Sequence, residues 1–167
     1  IPMYNEESIV DSTLREVGSY MKETFLEDYE ILCVNDGSRD RTWEIICDLA
    51  KKDEHFIGIA QSRNRGHQNA LLAGLMEAKE HCDAAISVDA DLQDDINAVD
   101  EMVERFHEGC DIVYGVRSAR DTDTFFKRFT AQGYYKLLKH MGVEAVYNHA
   151  DYRLVSSRGL KAFADFK

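Results

Sequence analysis

The stretch Ala84-Ala-Ile-Ser-Val-Asp-Ala-Asp-Leu-Gln-Asp94 is the most informative part of the sequence, because it joins a short apolar run to a group of acidic side chains. The run from Ala84 to Val88 predicts a buried strand. Asp89 and Asp91 follow at the point where this strand should end. Since ligands of open α/β sheets bind just beyond the carboxyl ends of the strands, the stretch also predicts a binding site there.

The spacing of these carboxylates suits a hard divalent cation. Asp89 and Asp91 can share Mg²⁺ or Mn²⁺, with Gln93 as a neutral oxygen ligand nearby. A cation held by only two carboxylates keeps open positions, which suits a diphosphate. The simpler alternative is a solvated acidic loop. The strand before the pair and the polar turns described below favour the binding site.

The rest of the chain alternates between strand and helix patterns, with crossovers of roughly 10–20 residues. This alternation predicts an α/β fold with a mainly parallel, Rossmann-like sheet and helices on both faces. We expect Asp40 to cap the second helix, with Trp43, Ile46, Cys47 and Ala50 on its inner face. The predicted strands are 30–34, 56–60, 84–88, 111–116 and a short one near 151–155; the predicted helices are 6–26, 40–52, 69–80, 96–107, about 124–141 and a last helix.

Length and composition indicate one globular domain, residues 1–167, with one proline and no repeat or linker. We expect this domain to be cut from a longer protein at both ends, because Ile1 resembles the end of a strand and Lys167 lies in a helical pattern. No apolar run approaches the roughly 18 residues that span a bilayer, and there is no signal peptide. The four cysteines form no CxxC pair, so we expect reduced thiols.

The net charge of −11 is unevenly distributed. Residues 1–115 hold 10 Lys and Arg against 26 Asp and Glu, whereas residues 116–167 hold 10 against 5. The acidic majority argues against nucleic-acid binding, which needs a basic face. Two other classes are also disfavoured. No GxGxxG follows a strand, as a dinucleotide-binding domain requires, and an aspartyl phosphotransferase would place its Asp-x-Asp on the first strand.

Four polar turns should converge on the carboxyl edge of the sheet: 2–6, 34–42, 63–68 and 89–94. Taken singly, each has a simpler explanation as a cap or a turn. Together they indicate a site. A carboxylate such as Asp36 can accept from the imide N–H of uracil or from ribose hydroxyls. Helix N-termini and Arg63 can carry phosphate charge.

The motifs PMYNE, VNDGSRDRT, SRNRGHQNALLAG, DADLQDD, DIVYGVRSAR and ADYRLVSS, in this order, resemble the family 2 glycosyltransferases of the GT-A fold. The resemblance is strongest to the polyprenyl-phosphate branch, the dolichol-phosphate mannosyltransferases and bactoprenol glucosyltransferases. Two positions depart from the family pattern: Asp95-Ile-Asn97 replaces Pro-Pro or Pro-Glu, and Arg65 replaces an apolar residue. The resemblance implies a nucleotide site at Pro2, Tyr4, Asn5, Glu6, Asp36, Arg63, Gly66, Asp89 and Ala90, a metal at Asp89, Asp91 and Gln93, and catalytic roles for Asp91 and Arg117. Asp94, next to the metal pair, is the third catalytic candidate.

The implied reaction is metal-dependent transfer of a sugar, with inversion, from a nucleotide-diphosphate donor such as a UDP-sugar to a polyprenyl phosphate at the cytoplasmic face of the membrane. A lipid phosphate, largely dianionic at pH 7, needs little or no general base. A saccharide or other hydroxyl acceptor needs one, and Asp94 is the nearest candidate; its alternative role is to face the dipole of the next helix. A third possibility is a sugar-nucleotide-binding module without turnover. His67 is either a phosphate contact or simply a solvated loop residue.

The basic final third suggests contact with a membrane surface. Lys127 and Arg128 precede Phe129 in a predicted amphipathic helix that also carries Phe125 and Phe126. Cations beside exposed aromatic residues are typical of interfacial helices. The alternative is that the aromatic residues pack inward and the cations balance the acidic body.

Overall fold

The structure is a computed structural model, and it describes residues 1–25, 29–116 and 149–165. Strands and helices alternate along the chain, as the sequence predicts. The elements are β1 (Pro2–Met3), α1 (Val10–Phe25), β2 (Ile31–Asn35), α2 (Thr42–Ala50), β3 (Phe56–Ala60), α3 (His67–Ala78), β4 (Ala84–Ser87), α4 (Ala98–His107), β5 (Ile112–Val116), β6 (His149–Ser156) and α5 (Ser157–Asp165).

The first three strands form a parallel sheet in the order β1-β2-β3. Pro2 pairs with Val34 in β2, and Ile31 pairs with Phe56 in β3. The middle strand is a short apolar run whose Cys33 and Val34 are buried, as expected for a parallel strand covered on both faces. All three strands therefore end at one edge, and the loops that follow them lie side by side.

The second sheet has the order β4-β6-β5, and β6 runs antiparallel to both of its neighbours. The alternating pattern does not predict this direction. The antiparallel direction of β6 follows from its register with β5, because Val116, the last residue of β5, pairs with His149, the first residue of β6. The chain thus re-enters the sheet at the end where it left, and β6 must run back along β5. Ser87, the last residue of β4, is paired with Arg153 of β6.

The helices pack on the sheets through the faces that their sequence patterns predict. In α1, Val10, Leu14 and Val17 are buried at spacings of four and three residues. In α3, Ala70 is fully buried, and a side chain at Gly74 would lie 3.0 Å from Val34. The small residues of α3 therefore allow the close approach to the sheet that the sequence indicates.

Four helices differ from their predicted boundaries, and α4 begins at Ala98 rather than at residue 96. Helix α1 begins at Val10 rather than residue 6, because Asn5 has a φ of 57° and the Glu6 carbonyl closes a turn with the N–H groups of Ile9 and Val10. In α2, Asp40 lies one residue before the N-cap position, although its carboxylate accepts from the Thr42 N–H. The buried residues of α2 are Thr42, Ile46 and Leu49; Trp43, Cys47 and Ala50 are half-buried.

Helix α3 begins at His67, two residues before the predicted start, so His67 is a helical residue and not a loop residue. The predicted helix 124–141, with Phe125, Phe126, Lys127, Arg128 and Phe129, lies outside the described residues. Of the helices in the described ranges, none combines the length and the apolar character that crossing a membrane requires.

Candidate functional site

Four loops follow the first four strands: the first loop (residues 4–9), the second (36–41), the third (61–66) and the fourth (88–97). The first two are joined by a set of hydrogen bonds that we term the loop clasp. In one direction the bonds run from Asn5 N–H to Ser38 Oγ (3.0 Å), from Glu6 N–H to Thr42 Oγ1 (2.9 Å) and from Glu7 N–H to Asp40 Oδ2 (3.0 Å). In the other they run from Arg39 N–H to Asn5 Oδ1 (2.9 Å) and from Arg41 N–H to Glu7 Oε2 (3.1 Å).

The second and third loops are joined through Asp36. This residue is only 2% exposed, and its carboxylate accepts from the N–H groups of Arg65 (2.7 Å) and Gly66 (2.8 Å). Its neighbour Gly37 has a φ of 67°, and a Cβ there would lie 2.5 Å from the carbonyl carbon of Arg63. The absence of a side chain at Gly37 therefore lets the two loops touch. These contacts give Asp36 a structural role that sequence reasoning missed, and its predicted contact with the base stays a prediction.

The fourth loop carries the acidic pair. The strand ends at Ser87, two residues before Asp89, which is half-buried, whereas Asp91 is exposed. The Ala90 carbonyl between them accepts from the buried Thr13 hydroxyl of α1 (2.7 Å), and Leu92 has a φ of 47°. A fixed backbone therefore holds the two carboxylates at the end of a strand.

The surroundings of Asp89 raise the pKa of its carboxyl group. Burial is the main cause that raises the pKa of its carboxyl group, while His67 works in the opposite direction. The negative charges of Asp91, Asp151 and Asp94 raise the pKa further. Burial and the neighbouring negative charges both disfavour the ionised form of Asp89. A bound cation would relieve both effects.

His67 bridges the fourth loop and β6. Its Nε2 lies 3.6 Å from Asp89 Oδ1 and 3.3 Å from Asp151 Oδ2. The expectation of a loop position is therefore wrong, since His67 is the first residue of α3 and faces two carboxylates, whereas its side chain is exposed as expected. Its contact with phosphate stays a prediction.

Asp151 is the residue of this region that sequence reasoning missed. Its carboxylate accepts from Gln68 Nε2 (2.8 Å) and from the guanidinium of Arg153 (3.1 Å), and its backbone carbonyl accepts from the Ser87 hydroxyl. The available signal was the motif ADYR, whose pattern alone gives Asp151 no role. Only the antiparallel pairing of β6 with β4 brings this residue beside Asp89.

Glu6 belongs to the same acidic region. Burial raises the pKa of its carboxyl group, and the negative charges of Asp91 and Asp40 raise it further. The first and fourth loops therefore lie close enough for their carboxylates to interact. An uncompensated cluster of this kind favours a cationic or metal-bound ligand.

Two of the predicted nucleotide residues have buried side chains, and their contact with a nucleotide stays a prediction. Pro2 is buried in β1, where it pairs with Val34, and Ala90 is 6% exposed within the hydrophobic core. Neither side chain is exposed at the loops, because both belong to the packed layer beneath them. Tyr4, at 39% exposure, is open to solvent. The other predicted residues lie as follows: Asn5, Arg63, Asp91 and Gln93 are exposed, Glu6, Gly66, Asp89 and Asp94 are half-buried, and Arg117 lies outside the described residues.

The donor atoms of the fourth loop fit a hard cation. Asp89 and Asp91 offer carboxylate oxygens, and the Gln93 N–H, which donates to Asp91 Oδ1 (3.2 Å), holds the amide residue beside them. Over the described ranges, no three His, Cys, Asp or Glu side chains are arranged to hold a metal ion. A cation here would therefore depend on two carboxylates and on oxygens from another source, such as a diphosphate.

Comparison with known proteins gives the family. Residues 1–162 match the model of "Glycosyl transferase family 2". The glycosyltransferase YkoT of Bacillus subtilis is 46% identical over 166 residues, which cover 96% of this chain and 49% of that protein. The bactoprenol glucosyl transferase of Shigella phage SfV is 37% identical over 157 residues, covering 93% of this chain and 50% of that protein. The chain thus spans about half the length of these relatives.

Two solved structures share the fold. Glucosyl-3-phosphoglycerate synthase from Mycobacterium tuberculosis, in complex with UDP, aligns with a TM-score of 0.65 at 17% identity, over 94% of this chain and 55% of that one. The mannosyltransferase PcManGT from Pyrobaculum calidifontis, in complex with GDP-Man and Mn²⁺, aligns with a TM-score of 0.65 at 16% identity, over 99% of this chain and 46% of that one. The predicted α/β fold of the GT-A type is confirmed.

Proposed function

Because the chain belongs to glycosyl transferase family 2 and is a glycosyltransferase, we propose that it transfers a sugar from a UDP-sugar to a polyprenyl phosphate with the help of a divalent cation. The observation that carries the proposal is the pair Asp89 and Asp91 at the end of β4, where the pKa of Asp89 is raised by burial and by neighbouring carboxylates. Such a pair is suited to a cation that carries a diphosphate.

The donor would lie across the four loops. Asp89 and Asp91, with Gln93, would hold Mg²⁺ or Mn²⁺, which supplies neutralisation of the departing diphosphate charge. Tyr4, which is exposed at the first loop, would line the nucleotide pocket. Arg63, exposed on the third loop, would contact the phosphates. Two relatives of the fold were solved with UDP and with GDP-Man and Mn²⁺, which supports a nucleotide-sugar donor.

The Asp36 carboxylate keeps acceptor positions for a contact with the uracil base. A carboxylate has about four acceptor positions, and the N–H groups of Arg65 and Gly66 use two of them. The uracil imide would have to approach a second lone pair of a residue that is 2% exposed. We therefore assign Asp36 first to the framework and second to the base.

The acceptor is proposed from the relatives named as bactoprenol glucosyl transferases. An oxygen of the lipid phosphate would form a bond to the anomeric carbon while the bond from that carbon to the diphosphate breaks, and the configuration would invert. A phosphate monoester with a second pKa near 6 is largely dianionic at pH 7, so no side chain need remove a proton. We place the reaction at the cytoplasmic face of the membrane, with Arg117 as a further phosphate ligand.

A hydroxyl acceptor is the second candidate, because one further carboxylate lies close to the metal pair. Asp94 is near enough to Asp89 to affect its pKa and is half-buried at the fourth loop. With a saccharide acceptor, Asp94 would serve as the general base. The two candidates share the donor half of the site and differ in what they require of Asp94.

The deciding experiment is a UDP-release assay with a panel of UDP-sugars and Mn²⁺, with a short-chain polyprenyl phosphate or a simple saccharide as acceptor. The proposal expects release that saturates with the lipid phosphate and survives Asp94→Asn. The matched control is Asp95→Asn, at an exposed neighbour whose carboxylate accepts from the Asn97 backbone and side chain. Release that requires the saccharide and is lost in Asp94→Asn would establish the second candidate instead.

A further inference from the structure

The Thr42 hydroxyl is a buried member of the loop clasp that both donates and accepts a hydrogen bond. Thr42 is the first residue of α2 and is fully buried, with 0% exposure. Its hydroxyl donates to Asp40 Oδ1 (2.6 Å) and accepts from the N–H of Glu6 (2.9 Å). Because a carboxylate can only accept, the hydroxyl hydrogen points to Asp40, and a lone pair is left to face Glu6.

These hydrogen bonds converge on the Asp40 carboxylate from two sides. Glu6 N–H donates to Thr42, Thr42 donates to Asp40, and the second oxygen of Asp40 accepts from Glu7 N–H (3.0 Å). Two consecutive backbone amides of the first loop are thus fixed by Asp40 of the second loop and by Thr42, the first residue of α2. The bonds end on a carboxylate, and charge-assisted bonds of this kind are stronger than neutral ones.

The backbone that these hydrogen bonds hold, residues 4–6, carries side chains of the proposed nucleotide pocket. Tyr4 is exposed beside it, and Asn5 has a φ of 57°, a left-handed conformation that only a few residue types adopt readily. The conformation is kept because both the N–H and the side-chain oxygen of Asn5 bond to the second loop. The Tyr4–Glu6 backbone is therefore set from outside the first loop.

We propose that Thr42 is a positioning residue, whose buried hydroxyl holds the Tyr4–Glu6 backbone in the conformation that forms the nucleotide side of the donor site. This inference rests on the proposed function, because it takes the first loop to be part of a nucleotide pocket. Thr42 differs from Ser38 and Glu7, whose clasp bonds are exposed. Water can replace an exposed partner, but it cannot reach the buried hydroxyl, so loss of that hydroxyl displaces the Glu6 N–H.

The test compares three variants by calorimetric titration with UDP in the presence of Mn²⁺. Thr42→Val keeps the shape and removes the hydroxyl, Thr42→Ser keeps the hydroxyl, and Ser12→Ala is the matched control. Ser12 also bonds through its hydroxyl near the start of α1, but to Ile9 of the same segment and not to the second loop. We expect Thr42→Val to weaken UDP binding roughly tenfold, about 1.4 kcal/mol. Thr42→Ser and Ser12→Ala should stay within about threefold of the wild type.

A purely structural role would lower the melting temperature of Thr42→Val and leave its UDP affinity unchanged, measured well below that temperature. This result would overturn the inference, as would equal weakening in Thr42→Ser. If Thr42→Val does not fold, Asp40→Asn replaces it, because an amide group facing Glu7 N–H breaks the same set of hydrogen bonds at a half-buried position. Unchanged affinity in Asp40→Asn would then refute the positioning role.

Failure of the proposed function gives a different result. If the wild type does not bind UDP in the presence of Mn²⁺, the proposed nucleotide site itself is refuted, and the positioning role falls with it. If the wild type binds and Thr42→Val binds equally well, only the positioning role is refuted.

Discussion

Replacement of Asp36 by Asn tests whether this carboxylate joins the second and third loops. One oxygen accepts from Arg65 N–H at 2.7 Å and the other from Gly66 N–H at 2.8 Å. An asparagine keeps one carbonyl oxygen and places an NH₂ group where the other oxygen was. One bond therefore survives without its charge, and the other becomes a contact between two donors.

The expected cost follows from those two contacts. Hydrogen bonds to charged groups contribute about 1.5–3 kcal/mol each, and neutral ones about 0.5–1.5 kcal/mol. The Gly66 N–H also donates to Asn64 Oδ1 (3.1 Å), so the cost lies in the lost charged bonds and not in a donor without a partner. Since Asp36 is 2% exposed, water does not compensate. We expect Asp36→Asn to lower the free energy of unfolding by about 2–4 kcal/mol, which for a domain of this size lowers the melting temperature by roughly 4–16 °C.

Urea and thermal denaturation followed by circular dichroism measure both quantities. The control is Asp95→Asn, since the Asp95 carboxylate also accepts from a backbone N–H, that of Asn97 at 3.0 Å, but is exposed. We expect this control to stay within about 0.5 kcal/mol of the wild type. If Asp36→Asn were as stable as Asp95→Asn, the reasoning from burial and charge would be refuted.

A ligand titration separates the framework role of Asp36 from the proposed base contact. Asp36→Ala should weaken UDP more than inorganic pyrophosphate if the carboxylate also meets the base or ribose. Equal weakening of both ligands would mean that Asp36 acts only through the loops.

Three further substitutions test the acidic pair and the contact between the loops. Asp91→Asn should abolish Mn²⁺-dependent binding of UDP in calorimetry while the melting temperature stays unchanged, because the side chain is exposed; unchanged metal-dependent affinity would contradict the metal assignment. Asp89→Asn should melt at a higher temperature than the metal-free wild type at pH 7. Burial raises the pKa of Asp89 in the folded state, so the stability of the wild type falls as the pH rises through the titration of this residue. The difference should vanish below the unfolded pKa near 3.9, and its persistence there would refute the electrostatic cause. Gly37→Ala should lose about 1–3 kcal/mol more stability than Gly109→Ala. Both glycines have a positive φ, but of the two only Gly37 lies against backbone, with the carbonyl carbon of Arg63 2.5 Å from the added Cβ. Equal losses in urea denaturation would show that the backbone conformation alone matters.

The parts of this fold that depend on local pattern could be predicted from the sequence. Strand β3 lies at the predicted residues 56–60, and β4 differs from its prediction by one residue. Short apolar runs bounded by polar turns specify strands wherever both faces are covered, and the acidic pair then falls at the strand end without further information. This is why Asp89 and Asp91 were placed correctly.

The contribution of β6 could not be predicted in the same way. Its antiparallel direction depends on the register between Val116 and His149, a contact between residues far apart in sequence. Asp151 therefore reaches His67 and the end of β4 through a pairing that no local pattern encodes. The motif was visible in the sequence, but its neighbours were not.

The roles of the polar loop residues were harder still, because a side chain that suits a ligand also suits a backbone amide. Asn5 and Asp36 were predicted to meet the nucleotide, and the structure shows them bonded to backbone N–H groups of neighbouring loops. Sequence alone gives the chemistry of an acceptor. It does not give the donor that lies closest in space.

The site therefore divides into two groups with different physical tasks. Asp36, Asp40 and Thr42 are buried or half-buried and bond to the backbone of neighbouring loops. Tyr4 and Asp91 are exposed at those loops, so their side chains are open to a ligand. Changes in the first group should lower stability and nucleotide affinity together, because the same bonds hold the fold and the pocket. Changes in the second should lower affinity alone, because no buried group loses its partner.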